Sequence, residues 1–177
     1  MRAERLEREY EVAITWEPWE LHPETPPEGR PRPRRARESP VIAAARAAGL
    51  EMIEPPLVAN SRLALEASEY VRETAPGAYG TFHHAVFRAY FEHGRNIGDP
   101  EVLAEVATTC GLDGGGLRAS VVERRYRDLV DEKIQRAAAN GHTSTPTFLF
   151  GDRFAVAGAQ DYEFFELVLK RLGVPKR

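Results

Sequence analysis

Thiol chemistry needs sulfur nucleophiles, and this sequence offers one cysteine, Cys110. A single thiol can neither close an internal disulfide nor complete a Cys-x-x-Cys pair or a cysteine zinc cluster. Cys110 precedes Gly111 at the expected end of a helix, where the negative end of the helix dipole disfavours a thiolate. It therefore reads as a small packing residue rather than a nucleophile. The histidines offer as little to a metal ion. His83 and His84 are neighbours, about 100° apart on a helix, and cannot share an ion as an i, i+4 pair does. His22, His93 and His142 have no acidic or histidine partner at ligand spacing. Neither a metal nor another cofactor is expected.

Two further groups of residues could bind rather than react. Gly158-Ala159-Gln160 comes just before the last expected helix, and the free amides of a helix start suit an anion. Every helix has such an end, however. Arg30, Arg32, Arg34, Arg35 and Arg37 are concentrated in one short stretch and suggest an arm for nucleic acid or an acidic partner. The prolines among them keep the stretch extended, and the chain as a whole carries a net charge of −3. A solvated loop is the expectation, with no nucleic-acid partner.

The elements that would position these residues follow from periodicity and punctuation. Residues 2–10 read as a charged helix, and 12–21, VAITWEPWEL, as a strand interrupted by Pro18. A proline-rich charged loop follows. From about 39 to 140 the pattern is helical. Pro40 opens a helix that Gly49 ends, a second runs from Asn60-Ser61 to Pro76, and a third spans roughly 78–93. Asp99-Pro100 caps a fourth, which Gly111 stops, and a long fifth covers about 117–139. After Gly141 the period becomes two. TPTFLF (145–150) and RFAVAG (153–158) form a hairpin about Gly151-Asp152-Arg153, and Asp161 caps a final amphipathic helix. The strands at 12–16, 146–150 and 153–157 are expected to share one small mixed sheet under an all-helical layer.

At 177 residues and 42% hydrophobic content the chain suits one domain, or one fold with a large insertion. It has no apolar run of membrane-spanning length, and its charged start, MRAERLEREYEV, lacks the apolar core of a secretory signal. A cytoplasmic protein that does not enter a membrane is the expectation.

These segments carry a family resemblance in the right order along the chain. GHTSTPTFLFGDRFAVAGAQDYEFFELVLKRL resembles the closing half of a DsbA-type thioredoxin fold. WEPWELHPETPPEGRP resembles the second strand and following loop of the family's FrnE-like branch, and AVFRAYFEHGRNIGDPEVLAEVATTCGLD resembles its helical insertion. The resemblance implies an α/β thioredoxin-like fold with a large all-helical insertion domain. Residues 1–38 and 141–177 would form the thioredoxin-like part and 39–140 the insertion. RAERLEREY would be the later part of the first helix, so the first core strand and both active cysteines would precede Met1.

The function so implied is thiol-disulfide oxidoreduction, with no dithiol activity from these residues themselves. Pro146 would be a cis-proline facing the active site, and the Thr145 backbone would pair with an extended peptide or thiol-containing protein. Related glutathione-dependent isomerases and kappa-class transferases resemble the same arrangement. On that alternative, Ala159 and Gln160 would hold a glutathione carboxylate, although GAQ departs from the G-S/T-D-R pattern there. The remaining alternative is a non-catalytic peptide-binding or dimerising module, and a homodimer stays open.

Overall fold

The computed structural model describes residues 2–33, 39–151 and 154–177. The chain divides into two compact units, Met1–Trp19 with Gln135–Arg177, and Glu20–Ile134. The expected domain boundaries at 38/39 and 140/141 thus fall at 19/20 and 134/135, and the stretch after Trp19 belongs with the helices.

The helical unit contains β1 (Arg30–Pro31), α2 (Pro40–Ala47), β2 (Leu57–Val58), α3 (Arg62–Thr74), α4 (Tyr79–Phe91), α5 (Pro100–Thr109) and α6 (Gly114–Val122). It also holds the first part of α7 (Arg127–Ala139). Its core is one stripe from each of four helices: Ala64, Ala67 and Val71; Phe82, Val86 and Ala89; Leu103, Val106 and Ala107; Leu117 and Val121. The spacings of three and four residues put each set on one helix face. Phe82, Leu103 and Leu117 are fully buried, and burial of each stabilises by about 1.5–3 kcal/mol. Helix starts are fixed by side chains, with Asp99 Oδ1 accepting from the Glu101 amide at 2.9 Å and Asp113 Oδ1 from the Gly116 amide at 2.9 Å. Gly114 lies so close to α5 that a Cβ would sit 2.5 Å from the Ala104 carbonyl oxygen.

Two expectations fail in this unit. The segment 39–140 is not all-helical, because Arg30↔Val58 and Pro31↔Leu57 pair antiparallel. Pro55-Pro56 forbids helix just before β2, and Arg32 holds the ribbon down, its Nε donating to the Pro55 carbonyl at 3.0 Å. Nor is 117–139 one helix. The chain breaks between Val122 and Arg127, with Arg124 in the left-handed region at φ 56°. That turn lets Arg124 donate twice to the buried carboxylate of Glu66, Nε–Oε2 2.9 Å and Nη2–Oε1 2.7 Å.

The hairpin unit contains α1 (Arg2–Glu9), the end of α7, β3 (Thr147–Phe150), β4 (Phe154–Ala157) and α8 (Tyr162–Arg171). Leu6 and Tyr10 pack with Tyr162, Phe165 and Leu169, and Phe148 and Phe150 close over Phe165. Two reciprocal tyrosine bonds tie α1 to α8: the Tyr10 hydroxyl donates to Glu166 and the Tyr162 hydroxyl to Glu9, both at 2.9 Å.

Residues 12–16 are a correction, since they form no strand. Val12 and Ile14 still bury apolar surface against the α8 cluster, but among the described residues no strand lies alongside to complete a ladder. The preceding residues pair with the C-terminal segment instead, through a Tyr10↔Lys176 bridge and the Glu11 amide on the Pro175 carbonyl. The sheet of the hairpin unit is therefore β3–β4 alone among the described residues.

Candidate functional site

The expected peptide platform and the expected anion site meet at the open end of the hairpin. Thr145 and Pro146 lead into β3, and the Thr145–Pro146 peptide bond is cis. Gly158 ends β4 at φ 81°, a conformation natural to glycine, and its amide donates to the Pro146 carbonyl at 2.8 Å. Each segment carries its own signal in the sequence, and neither signal points to the other. Counting the hairpin register back from its turn would have put Pro146 opposite Gly158.

That bond also settles which way the backbone faces. In an antiparallel ladder, hydrogen-bonded and non-hydrogen-bonded pairs alternate. With Pro146 opposite Gly158 bonded, the register makes Phe148↔Val156 and Phe150↔Phe154 the bonded pairs. The N–H and C=O groups of Thr147 and Leu149 then point away from β4, to the free edge of β3. Among the described residues no hydrogen bond engages the Thr145 backbone. The two faces differ as well. Phe148 and Phe150 lie on Phe165, while Leu149 is 54% exposed and Ala155 and Ala157 beside it are exposed. Among the described residues, this end of the hairpin offers an unpaired edge of backbone donors and acceptors next to an exposed apolar face, which suits an extended polypeptide.

Ala159 and Gln160 lie between Gly158 and α8. The Gln160 side chain is turned back, Nε2 donating to the Ala157 carbonyl at 3.0 Å. Asp161 occupies the N-cap position, but its side chain makes no capping bond, and Glu163 follows in the first turn. Two carboxylates at this helix start already answer its positive dipole, so an added anion would meet like charge.

The remaining candidates have structural surroundings. Cys110 is the half-buried C-cap of α5, its Sγ 4.0 Å from the Thr81 carbonyl oxygen. His83 stacks on Tyr79, centroids 5.7 Å apart, and burial pushes it down to about 4, so it is neutral at pH 7. No group of three or more potential metal ligands occurs among the described residues. Of the five arginines, Arg32 also donates to the Tyr90 hydroxyl at 3.1 Å, which itself donates to the Leu57 carbonyl. Arg34, Arg35 and Arg37 lie outside the described residues. No described helix is long and apolar enough to cross a membrane.

Comparison with known proteins decides the family. The profile described as DSBA-like thioredoxin domain matches residues 1–170. The chain belongs to that family. An uncharacterized protein of Bacillus subtilis (strain 168), YwbO, is 28% identical to this DSBA-like chain over 163 residues, covering 88% of it and 80% of YwbO. A solved structure titled as a probable DsbA oxidoreductase from Streptomyces coelicolor is similar in fold, with a TM-score of 0.71 at 24% identity. That match covers 88% of this DSBA-like chain and 73% of the other. The DsbA-like thioredoxin fold is thus shown.

Proposed function

We propose that this DSBA-like chain holds the polypeptide partner in a thiol-disulfide exchange reaction of DsbA/FrnE type, with Thr145 and Pro146 as the substrate-facing residues. The observation that carries the reading is the unengaged Thr145 backbone, continuous with the outward groups of Thr147 and Leu149. An extended segment of a thiol-containing protein laid along this edge gains backbone hydrogen bonds without regard to its sequence. A substrate class defined by its cysteines rather than its fold needs that tolerance. The exchange itself needs two sulfurs, one to attack and one to resolve the mixed disulfide. Cys110, the chain's one cysteine, belongs to the other compact unit and cannot serve as both. What these residues contribute on this reading is the partner-binding edge, not the dithiol.

An amide-resolved NMR titration of the 177-residue chain with a reduced, extended cysteine peptide tests the reading. Thr145, Thr147 and Leu149 amides should shift, while Phe148 and Phe150, already bonded across the hairpin, should not. Millimolar peptide that leaves 145–149 unmoved would reject it. Expression with the in-frame upstream coding sequence separates the alternatives. A Cys-x-x-Cys there should confer insulin reduction, a serine would favour the glutathione-dependent enzyme, and a stop codon the binding module.

A further inference from the structure

The chain passes between its two compact units twice, at Trp19–Glu20 and at Ile134–Gln135. Arg62, the first residue of α3, reaches the helical-unit side of both passages. Its Nη2 lies 2.8 Å from Glu20 Oε2 and its Nη1 2.7 Å from Asp131 Oδ1. The second contact is an ion pair without a hydrogen bond. Glu20 is the residue at which the chain enters the helical unit, and Asp131 lies within one turn of Ile134 on α7. The side chains of Arg62 and Glu20 are 21% and 9% exposed, so solvent screens this ion pair far less than a surface one.

We propose that Arg62 is a clasp that orders both passages at once. A guanidinium suits the task because its planar fork can engage two carboxylates from different directions, and it stays charged at any physiological pH. The need is uneven. Residues 12–20 form no helix or strand, so order there depends on side-chain anchors. Residues 131–137 are helical and carry a second anchor, Lys133 Nζ on the buried carboxylate of Glu69 at 2.9 and 3.0 Å. Arg62 is outside the apolar stripe of α3, so removing it leaves the four-helix core its contacts.

The test uses the full chain and two readouts, ¹⁵N order parameters at 19–21 and amide hydrogen exchange at 131–137. Arg62→Met should lower the order parameters from roughly 0.85 towards about 0.6. It should also speed exchange at 131–137 by about tenfold. Glu20→Gln should loosen the first passage alone, and Asp131→Asn the second alone. If Arg62→Met does not fold, the Glu20→Gln/Asp131→Asn double variant should loosen both passages in its place. Loosening of only one passage in Arg62→Met, no change at either, or loosening spread equally into α4 and α5 would each overturn the proposal.

Discussion

Arg124→Ala should be among the most damaging single changes in the helical unit, and its size can be worked from the geometry. Glu66 is 1% exposed and its carboxylate takes two good guanidinium hydrogen bonds from Arg124. Stripping the partner from a buried ion pair costs about 3–5 kcal/mol. Here the arginine side chain is 40% exposed, so water can enter and solvate part of the orphaned charge, which lowers the expectation to about 2–4 kcal/mol. A second term lies in the backbone. Arg124 sits at φ 56°, where a residue with a Cβ is disfavoured by about 1–2 kcal/mol relative to glycine. Arg124→Gly loses the same ion pair but relieves this term, so it should be less damaging than Arg124→Ala by about 1 kcal/mol. Adding Glu66→Gln to Arg124→Ala removes the stranded charge and should recover part of the loss. For a chain of this length the alanine variant should melt roughly 4–16 °C lower, at about 2–4 °C per kcal/mol. Thermal melts and urea titrations of the three variants measure all of this. Equal stability of the glycine and alanine variants would refute the backbone argument. A loss below about 0.5 kcal/mol for alanine would refute the buried-charge argument.

Packing at the start of α6 gives a contrast between adjacent glycines. Gly114→Ala drives its Cβ to 2.5 Å from the Ala104 carbonyl and should destabilise by about 1–3 kcal/mol in urea unfolding. Gly115→Ala meets nothing closer than 3.4 Å and should be neutral, or stabilising by up to about 1 kcal/mol through helix propensity. In the hairpin unit, the Tyr162 hydroxyl is pushed up to about 12, by burial first and then by its bond to Glu9. A raised pKa favours the protonated phenol, so this stabilisation is complete below the free-tyrosine value near 10 and is lost as pH rises towards 12. Ultraviolet titration should show late-ionising tyrosine that Tyr162→Phe diminishes. On the acid side, Glu9 is held below its ordinary value by hydrogen bonds from Arg5 and Tyr162, and Glu166 by those from Lys176 and Tyr10. Their contribution is present above the ordinary carboxylate range and should fade as pH falls below about 4.5, followed by hydrogen exchange in α1 and α8. The 177-residue chain should match the buffer blank in dithiothreitol-driven insulin reduction, and Cys110→Ser should change nothing in that assay.

How much of this was legible depended on how local the deciding interaction is. Asp99-Pro100, Ser39-Pro40 and the switch to period two after Gly141 each carry their signal within a few residues, and the helices and hairpin they mark are where reading put them. The break at Arg124 carries none. Glu-Arg-Arg-Tyr-Arg reads as helix, and the partner that bends it, Glu66, is far away in sequence. Residues 12–16 fail for a related reason. VAITW has strand composition, but a strand exists only where another strand lies beside it, and composition cannot report a neighbour. The same limit applies to the candidate site. Pro146 and the glycine before α8 were visible as separate motifs, because each has its own punctuation. What makes them one site is a single hydrogen bond between them and the alternation it imposes on β3. The outward edge at Thr145, Thr147 and Leu149 is therefore a property of register. It follows that substituting the side chains of Thr147 or Leu149 should affect peptide capture less than slipping the hairpin by one residue, which turns every outward group inward.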